Sequence, residues 1–309
     1  MLFFPRVSAR QGWVTLLSSL GYLLLSKLLL GFKPEQLVLV LLFNILFYLS
    51  LPTRKLIVGF SVFIVFWVLF DYMKAFPNYQ FNTVHVGDLY ELDKGLFGRY
   101  TADGTLLSVN EYWSLHRATI LDILAGCFYL CWIPVPLFLG VWLFYTKRAA
   151  FLPFALTFLL VNLIGFVIYY IYPAAPPWYV QLYGFQIHLN TPGNTAGLQR
   201  FDDYFHVGIF HALYAKSSNV FAAMPSLHAA YPLIVFYYGV KNRLGWLNVF
   251  FGTVVLGIWF AAIYASHHYV LDVLAGIACA FVGIFIFQKI LLKARWFTRF
   301  LDAFQAQIQ

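Results

Sequence analysis

The sequence predicts an all-α fold, a polytopic membrane helix bundle of about eight spans built around a six-span core. Three observations predict it. The 309 residues are 62% hydrophobic and only 10% charged, the mean hydropathy is +0.76, and long apolar runs recur from Trp13 to Leu292. Soluble domains are roughly 45–50% apolar and about 25% charged, so a soluble fold is excluded, and no separable soluble module is visible.

Crossing about 30 Å of hydrocarbon takes roughly 20 helical residues. Runs of that kind fall near 12–32, 36–51, 56–73, 119–145, 150–172, 225–240, 246–265 and 268–288. The first follows Arg6 and Arg10 but is followed by no small-residue cleavage site, so it reads as a retained helix and not as a signal peptide. With the N-terminus in the cytoplasm, that side collects Arg6, Arg10, Arg54, Lys55, Lys147, Arg148, Lys241, Arg243, Lys289, Lys293, Arg295 and Arg299, with Asp302 as its only acid. This is the positive-inside bias of membrane proteins. The division that follows is an N-terminal two-helix hairpin over 1–55, a six-helix core over 56–292 with its active site on the non-cytoplasmic face, and a cytoplasmic tail over 293–309. Both long connections, roughly 74–117 and 173–224, fall on the non-cytoplasmic face and are rich in Tyr, Phe and Trp, as residues of the headgroup layer are.

The net charge of +8 is scattered in short clusters between apolar runs, so topology explains it and no nucleic-acid partner is implied. Cys127, Cys131 and Cys279 all lie inside apolar runs, where a thiol behaves as a small hydrophobe; neither a disulfide framework, a metal site nor a cofactor is indicated. Asn82, Asn110, Asn190, Asn194 and Asn219 all lack the third-position hydroxyl of a glycosylation acceptor, which favours a bacterial inner membrane with a periplasmic site over the Golgi lumen of a eukaryote. The oligomeric state is not legible.

Two motifs carry chemistry. Met224-Pro225-Ser226-Leu227-His228 opens an apolar helix directly after an outer loop. Pro225 suits a helix start and Ser226 can cap it, leaving His228 in the first turn, where free amides and the helix dipole attract anions. An interfacial histidine after an ordinary cap would read the same. The second motif, Ser266-His267-His268-Tyr269-Val270-Leu271-Asp272, opens the last span. His268 and Asp272, four apart, share a helix face, so the carboxylate can orient one ring nitrogen and make the other a better nucleophile or base. An ionisable residue at a span is a functional candidate by default. His267 points elsewhere and reads as a headgroup contact. Both motifs fall on one face of the membrane, which supplies the acid/base pair that phosphoryl transfer to or from an alcohol requires.

At these residues the chain resembles the type 2 phosphatidic acid phosphatase superfamily. Pro225-Ser226-Leu227-His228 matches one signature motif, and His268-x3-Asp272 matches the end of another, although its Ser-Arg pair is replaced by Ala261-Ala262 and no Lys-x6-Arg-Pro precedes it. Ala175-Pro176-Pro177-Trp178, Pro225-Ser226-Leu227-His228 and His267-His268-Tyr269-x-x-Asp272 together resemble the aureobasidin-sensitive inositol phosphorylceramide synthases and their bacterial relatives. The resemblance implies transfer of a phosphoinositol head from phosphatidylinositol to ceramide or dihydroceramide, with release of diacylglycerol. It implies His268 as the nucleophile, through a phosphohistidine, Asp272 as its orienter and His228 as the proton carrier. Ser226 would hold a phosphate oxygen beside Pro225. The absent Lys and Arg leave Lys216, Arg200 and Arg117 as candidate cations, and fewer cations suit a singly charged diester. Asp202 and Asp203 are candidate acceptors for inositol hydroxyls, and Trp178 and Tyr179 for stacking on a headgroup. Alternatives are a lipid phosphatase of the same superfamily, acting on phosphatidic acid, a lipid pyrophosphate or a phosphorylated inositol lipid, and a transporter using the His and Asp as a proton relay.

Overall fold

The computed structural model describes residues 7–189, 191–215 and 219–309; Lys216, a candidate cation for the phosphate, and Arg6 lie outside them. Helix α1 (Ala9–Leu30) begins with a capping box in which Ser8 Oγ accepts from Gln11 N and Gln11 Oε1 accepts from Ser8 N, satisfying end amides reciprocally. Helices α2 (Pro34–Leu49) and α3 (Leu51–Tyr72) each carry a proline in the first turn, where no intrahelical N–H is lost. The first long connection folds into α4 (Gly87–Phe97), an antiparallel hairpin of β1 (Arg99–Tyr100) and β2 (Leu106–Leu107), and α5 (Val109–Leu115). Then come α6 (Thr119–Leu130), α7 (Pro134–Thr146) and α8 (Arg148–Ile171). The second long connection holds α9 (Pro177–Tyr183), α10 (Gln199–Phe205) and α11 (Ile209–Tyr214), and it leads into α12 (Leu227–Lys241), α13 (Leu247–Tyr264), α14 (Val270–Phe285) and α15 (Arg295–Ile308).

The all-α membrane bundle is as the sequence predicts; by length and apolarity alone, fewer than eight helices qualify as spans. Among the described residues, α1, α3, α8, α13 and α14 are long and apolar enough to cross a membrane, and α6 with α7 makes a sixth if the bent pair is one span. The expected continuous span over 119–145 is broken by 41° between α6 and α7. The cause is local: Pro134 and Pro136 cannot donate to the preceding turn and crowd its carbonyls. Helices α2 and α12, with 16 and 15 residues, fall short of the roughly 20 that a full crossing takes.

In lipid no hydrophobic force drives helices together, so small residues that admit close backbone approach decide the packing. A Cβ on Gly283 of α14 would lie 2.4 Å from Val161 of α8, and one on Gly276 would lie 2.0 Å from the carbonyl oxygen of Ser226. These glycines draw α14 against α8 and the start of α12. An aromatic core fills the rest: Phe63, Phe154, Phe158 and Tyr231 are buried together, while Leu17, Leu24, Val38 and Ile45 of the first two helices are exposed, the faces a membrane would cover.

At the end rich in Lys and Arg, Arg148 Nη1 donates to the carbonyl of Ile308 at 3.0 Å and Lys55 Nζ to that of Gln309 at 2.6 Å. The expected tail 293–309 is thus largely the helix α15, docked with Phe297 and Ile308 buried. At the opposite end the two long connections are stitched together by the main chain. His85 N donates to Pro173 O at 2.8 Å, Ala175 N to His85 O at 2.9 Å, and Ala174 N to Phe221 O at 2.8 Å.

Candidate active site

Ser226 ends an extended approach and begins α12, its hydroxyl accepting from the amide of Ala229 at 3.4 Å. It is fully buried, because α14 lies against it at Gly276 and its own amide donates to the carbonyl of Asp272 at 2.8 Å. That one contact sets the first turns of α12 and α14 side by side. His228 and Asp272, each in its first turn, are thereby brought to the two ring nitrogens of His268.

The turn before α14 is held from several directions. Ser266 adopts a left-handed backbone conformation with φ of 58°, and the amides of His267 and His268 both donate to Ala262 O at 3.0 Å. The amide of Trp178 donates to Ser266 O at 3.0 Å, which ties the Ala-Pro-Pro-Trp segment to the histidine pair. Across this framework His268 Nδ1 lies 3.5 Å from Asp272 Oδ2, and His268 Nε2 lies 3.3 Å from His228 Nδ1. Tyr129 Oη is 3.2 Å from the same His228 nitrogen, and Tyr214 Oη donates to Tyr129 Oη at 3.3 Å. The result is a run of polar groups from Asp272 through His268 and His228 to two tyrosines. Asp272 also accepts from the amide of Tyr269 at 2.8 Å, so its carboxylate is fixed at the helix start.

His228, His267 and His268 line a cavity of about 140 Å³, together with Tyr129, Trp132, Trp178, Asn194, Tyr214, Asn219 and Tyr231. Such a volume is small beside the roughly 300–1,000 Å³ of sites that enclose a whole small molecule. No Lys or Arg is among the described residues lining it, and the free amides at the start of α12 supply the positive end of a dipole there. His267 is packed between the rings of Tyr129 and Tyr214, its Nε2 2.9 Å from Thr195 O. Burial, with His268 beside it, pushes its pKa down to about 3, so the ring is neutral and Nε2–H is the donor. Among the described residues, no group of three or more His, Cys, Asp or Glu could hold a metal ion.

The other sequence-predicted contacts are dispersed. Pro225 is buried just before Ser226, and Trp178 is a buried wall of the cavity. Tyr179 is buried behind it and pinned through its hydroxyl, which donates to Gln186 O at 2.8 Å and accepts from His188 N at 2.7 Å. Arg200 pairs with Asp122 and lies over the ring of Tyr264, while Arg117 is exposed with Nε donating to Ser114 O. Both oxygens of buried Asp202 accept amides, from Phe210 and His211 at the start of α11. Asp203 is exposed and accepts from Gln199. None of Arg117, Arg200, Asp202 or Asp203 lines the cavity. Conversely, Tyr129, Trp132, Tyr214, Asn194 and Asn219 reach it without having been singled out in the sequence. Trp132 sits edge-on to His228 with ring centres 4.7 Å apart. Only a break in an apolar run, at Pro134, hinted that this stretch differs from an ordinary span.

The structure is thus a membrane helix bundle in which two histidines and a carboxylate converge beneath the two long connections. Residues 103–286 match the PAP2 superfamily, and the chain belongs to that superfamily. It is 46% identical, over 93% of its length and 95% of the relative's, to the phosphoinositol dihydroceramide synthase of Bacteroides thetaiotaomicron. It is also similar to the inositol phosphorylceramide synthase catalytic subunits of Saccharomyces cerevisiae and Schizosaccharomyces pombe, at 29% and 30% identity over 80% and 79% of this chain. The chain spans 61% and 57% of those fungal proteins. No solved structure matches it.

Proposed function

We propose that this protein transfers a phosphoinositol head from phosphatidylinositol to the primary hydroxyl of ceramide or dihydroceramide, releasing diacylglycerol, at the periplasmic face of a bacterial inner membrane. The observation that carries the reading is the run Asp272–His268–His228 opening on a buried cavity lined by aromatic rings and neutral donors. Near-full-length similarity to a phosphoinositol dihydroceramide synthase supports this acceptor.

With Nδ1–H directed at Asp272, His268 carries its lone pair on Nε2. That nitrogen attacks phosphorus, the bond from phosphorus to the glycerol oxygen breaks, and protonated His228 gives its proton to the departing diacylglycerol oxygen. The resulting phosphoinositol-histidine is resolved when His228, now neutral, takes the proton of the ceramide hydroxyl. The alkoxide oxygen bonds to phosphorus and the phosphorus–nitrogen bond breaks, returning His268 to its starting form. The first turn of α12 and the neutral donors of Asn194, Asn219, Tyr129 and Tyr214 supply stabilisation to the equatorial oxygens. A phosphodiester carries one negative charge, which such a lining suits better than it suits a phosphomonoester.

Purified protein incubated with phosphatidylinositol, with and without dihydroceramide, tests the reading by mass spectrometry. Phosphoinositol dihydroceramide formed only when the acceptor is present supports transfer. Free inositol phosphate in both samples would replace it with hydrolysis.

A further inference from the structure

One buried carboxylate near the site takes no part in the transfer just described. Asp93 lies in α4, on the first long connection, and is fully buried. Its Oδ1 accepts from the amide of Leu271 at 2.9 Å, across 178 residues of sequence. Leu271 stands in the first turn of α14, directly before Asp272. First-turn amides have no acceptor within their own helix. Asp272 turns Oδ2 to the amide of Tyr269 and to His268 and does not accept from Leu271; the acceptor for that amide comes from a different helix. A carboxylate is well suited to that place, because a helix start favours negative charge. Its second oxygen is buried with no partner, and burial, with the Asp272 charge adding to it, raises the Asp93 carboxyl to about 6.

The same stretch is gripped a second time from the first connection. Asn110 of α5, itself buried, donates from Nδ2 to Ile263 O at 2.8 Å and to His268 O at 3.0 Å. Asp93 and Asn110 thus hold residues 263–271 at both ends, and this stretch carries His267 and His268 and leads into Asp272. The first long connection contributes no lining residue to the cavity among those described, yet it determines where the nucleophile's segment rests.

We propose that Asp93 is a positioning residue for phosphoryl transfer: by accepting the Leu271 amide from outside α14 it fixes the first turn of that helix and so the placing of Asp272 against His268. The inference rests on the proposed role of His268 as nucleophile. The pair stands at 3.5 Å, at the limit of a hydrogen bond, so little further drift is tolerable. A misplacement of about 1 Å in reacting geometry costs roughly 10²-fold in rate.

The test compares Asp93→Leu, Asp93→Ser and Asp93→Asn with the wild type in mixed micelles of phosphatidylinositol and fluorescent dihydroceramide, with thermal melting of each variant. Leu removes the acceptor, Ser shortens its reach, and Asn keeps an oxygen for Leu271. The expected result is a fall in kcat of roughly 10²-fold in the Leu variant, or in the Ser variant if Leu does not fold. Both KM values should stay unchanged, and the Asn variant should recover most of the rate. Undiminished kcat in folded Leu or Ser variants, a change confined to KM, or an Asn variant as slow as Leu would overturn it. Absence of phosphoinositol transfer by the wild type would count against the proposed function, whereas wild-type transfer with an unimpaired Leu variant counts against this inference alone.

Discussion

His268 Nε2 and His228 Nδ1 stand 3.3 Å apart although forty residues separate them in sequence. An attacking nitrogen approaches phosphorus at about 3–3.5 Å, with the leaving oxygen and its proton donor on the opposite side. The proposed transfer therefore requires the two rings to part, with the phosphate taking the place of their hydrogen bond.

It follows that the two histidines are not interchangeable. His268→Ala should abolish turnover, because no nucleophile remains. His228→Ala should lose the roughly 10²–10⁴-fold that a placed general acid and base contributes, and Asp272→Asn should fall between them while keeping its shape. Product formation by mass spectrometry, with the amount of each variant in the membrane fraction measured alongside, checks this. Near-normal turnover by His268→Ala would remove it from the mechanism.

Close contact between α14 and Ser226 predicts a sharp response to a single methyl group. Gly276→Ala would place a Cβ 2.0 Å from the Ser226 carbonyl oxygen, and overpacking of this kind costs about 1–3 kcal/mol. Because the same contact aligns His228 with Asp272, activity should fall along with the melting temperature in detergent. A variant with unaltered melting and turnover would show that α12 and α14 are held apart by other means.

His267 gives a prediction in pH. Its pKa is pushed down from 6.5 to about 3 by burial, so the unfolded chain binds this proton where the folded one does not. Stability from this group is complete above pH 6.5 and is lost as pH falls toward the folded value. His267→Gln, which retains a donor for Thr195 O, should flatten the decline of melting temperature between neutral and acidic pH. An unchanged slope would assign the acid sensitivity to other groups.

Asp202 should matter to stability more than to substrate affinity. Its two oxygens take the amides of Phe210 and His211, and losing such a cap costs about 0.5–2 kcal/mol. The helix it starts carries Tyr214, whose ring lies on His267. Asp202→Ala is therefore expected to lower the melting temperature and leave KM for phosphatidylinositol in place; a raised KM with normal melting would assign it to inositol instead.

How far the sequence could be read depended on the distance over which each feature is decided. The start of α12 was legible because Pro225 and Ser226 act on the residues next to them, and the face shared by His268 and Asp272 follows from helical spacing. The break before Pro134 was not, since a proline early in an apolar run reads equally as a helix start or an interruption. Tyr129 and Trp132 were hidden for a different reason: aromatic residues in a span resemble their lipid-facing neighbours, and Trp132 reaches His228 only because the chain bends beside it. Asp202 and Arg200 looked available to a ligand because their partners, the α11 amides and Asp122, are brought to them by folding.

The sequence by itself determined that the chain is a helical membrane bundle and singled out His228, His268 and Asp272 as candidate site residues, because hydropathy and turn chemistry act within a few residues. Only the tertiary structure decided that His228 meets His268, that two tyrosines extend their run, and that Asp93 reaches the start of α14. Those contacts join segments remote along the chain, and close backbone approach at residues such as Gly276 sets their distances.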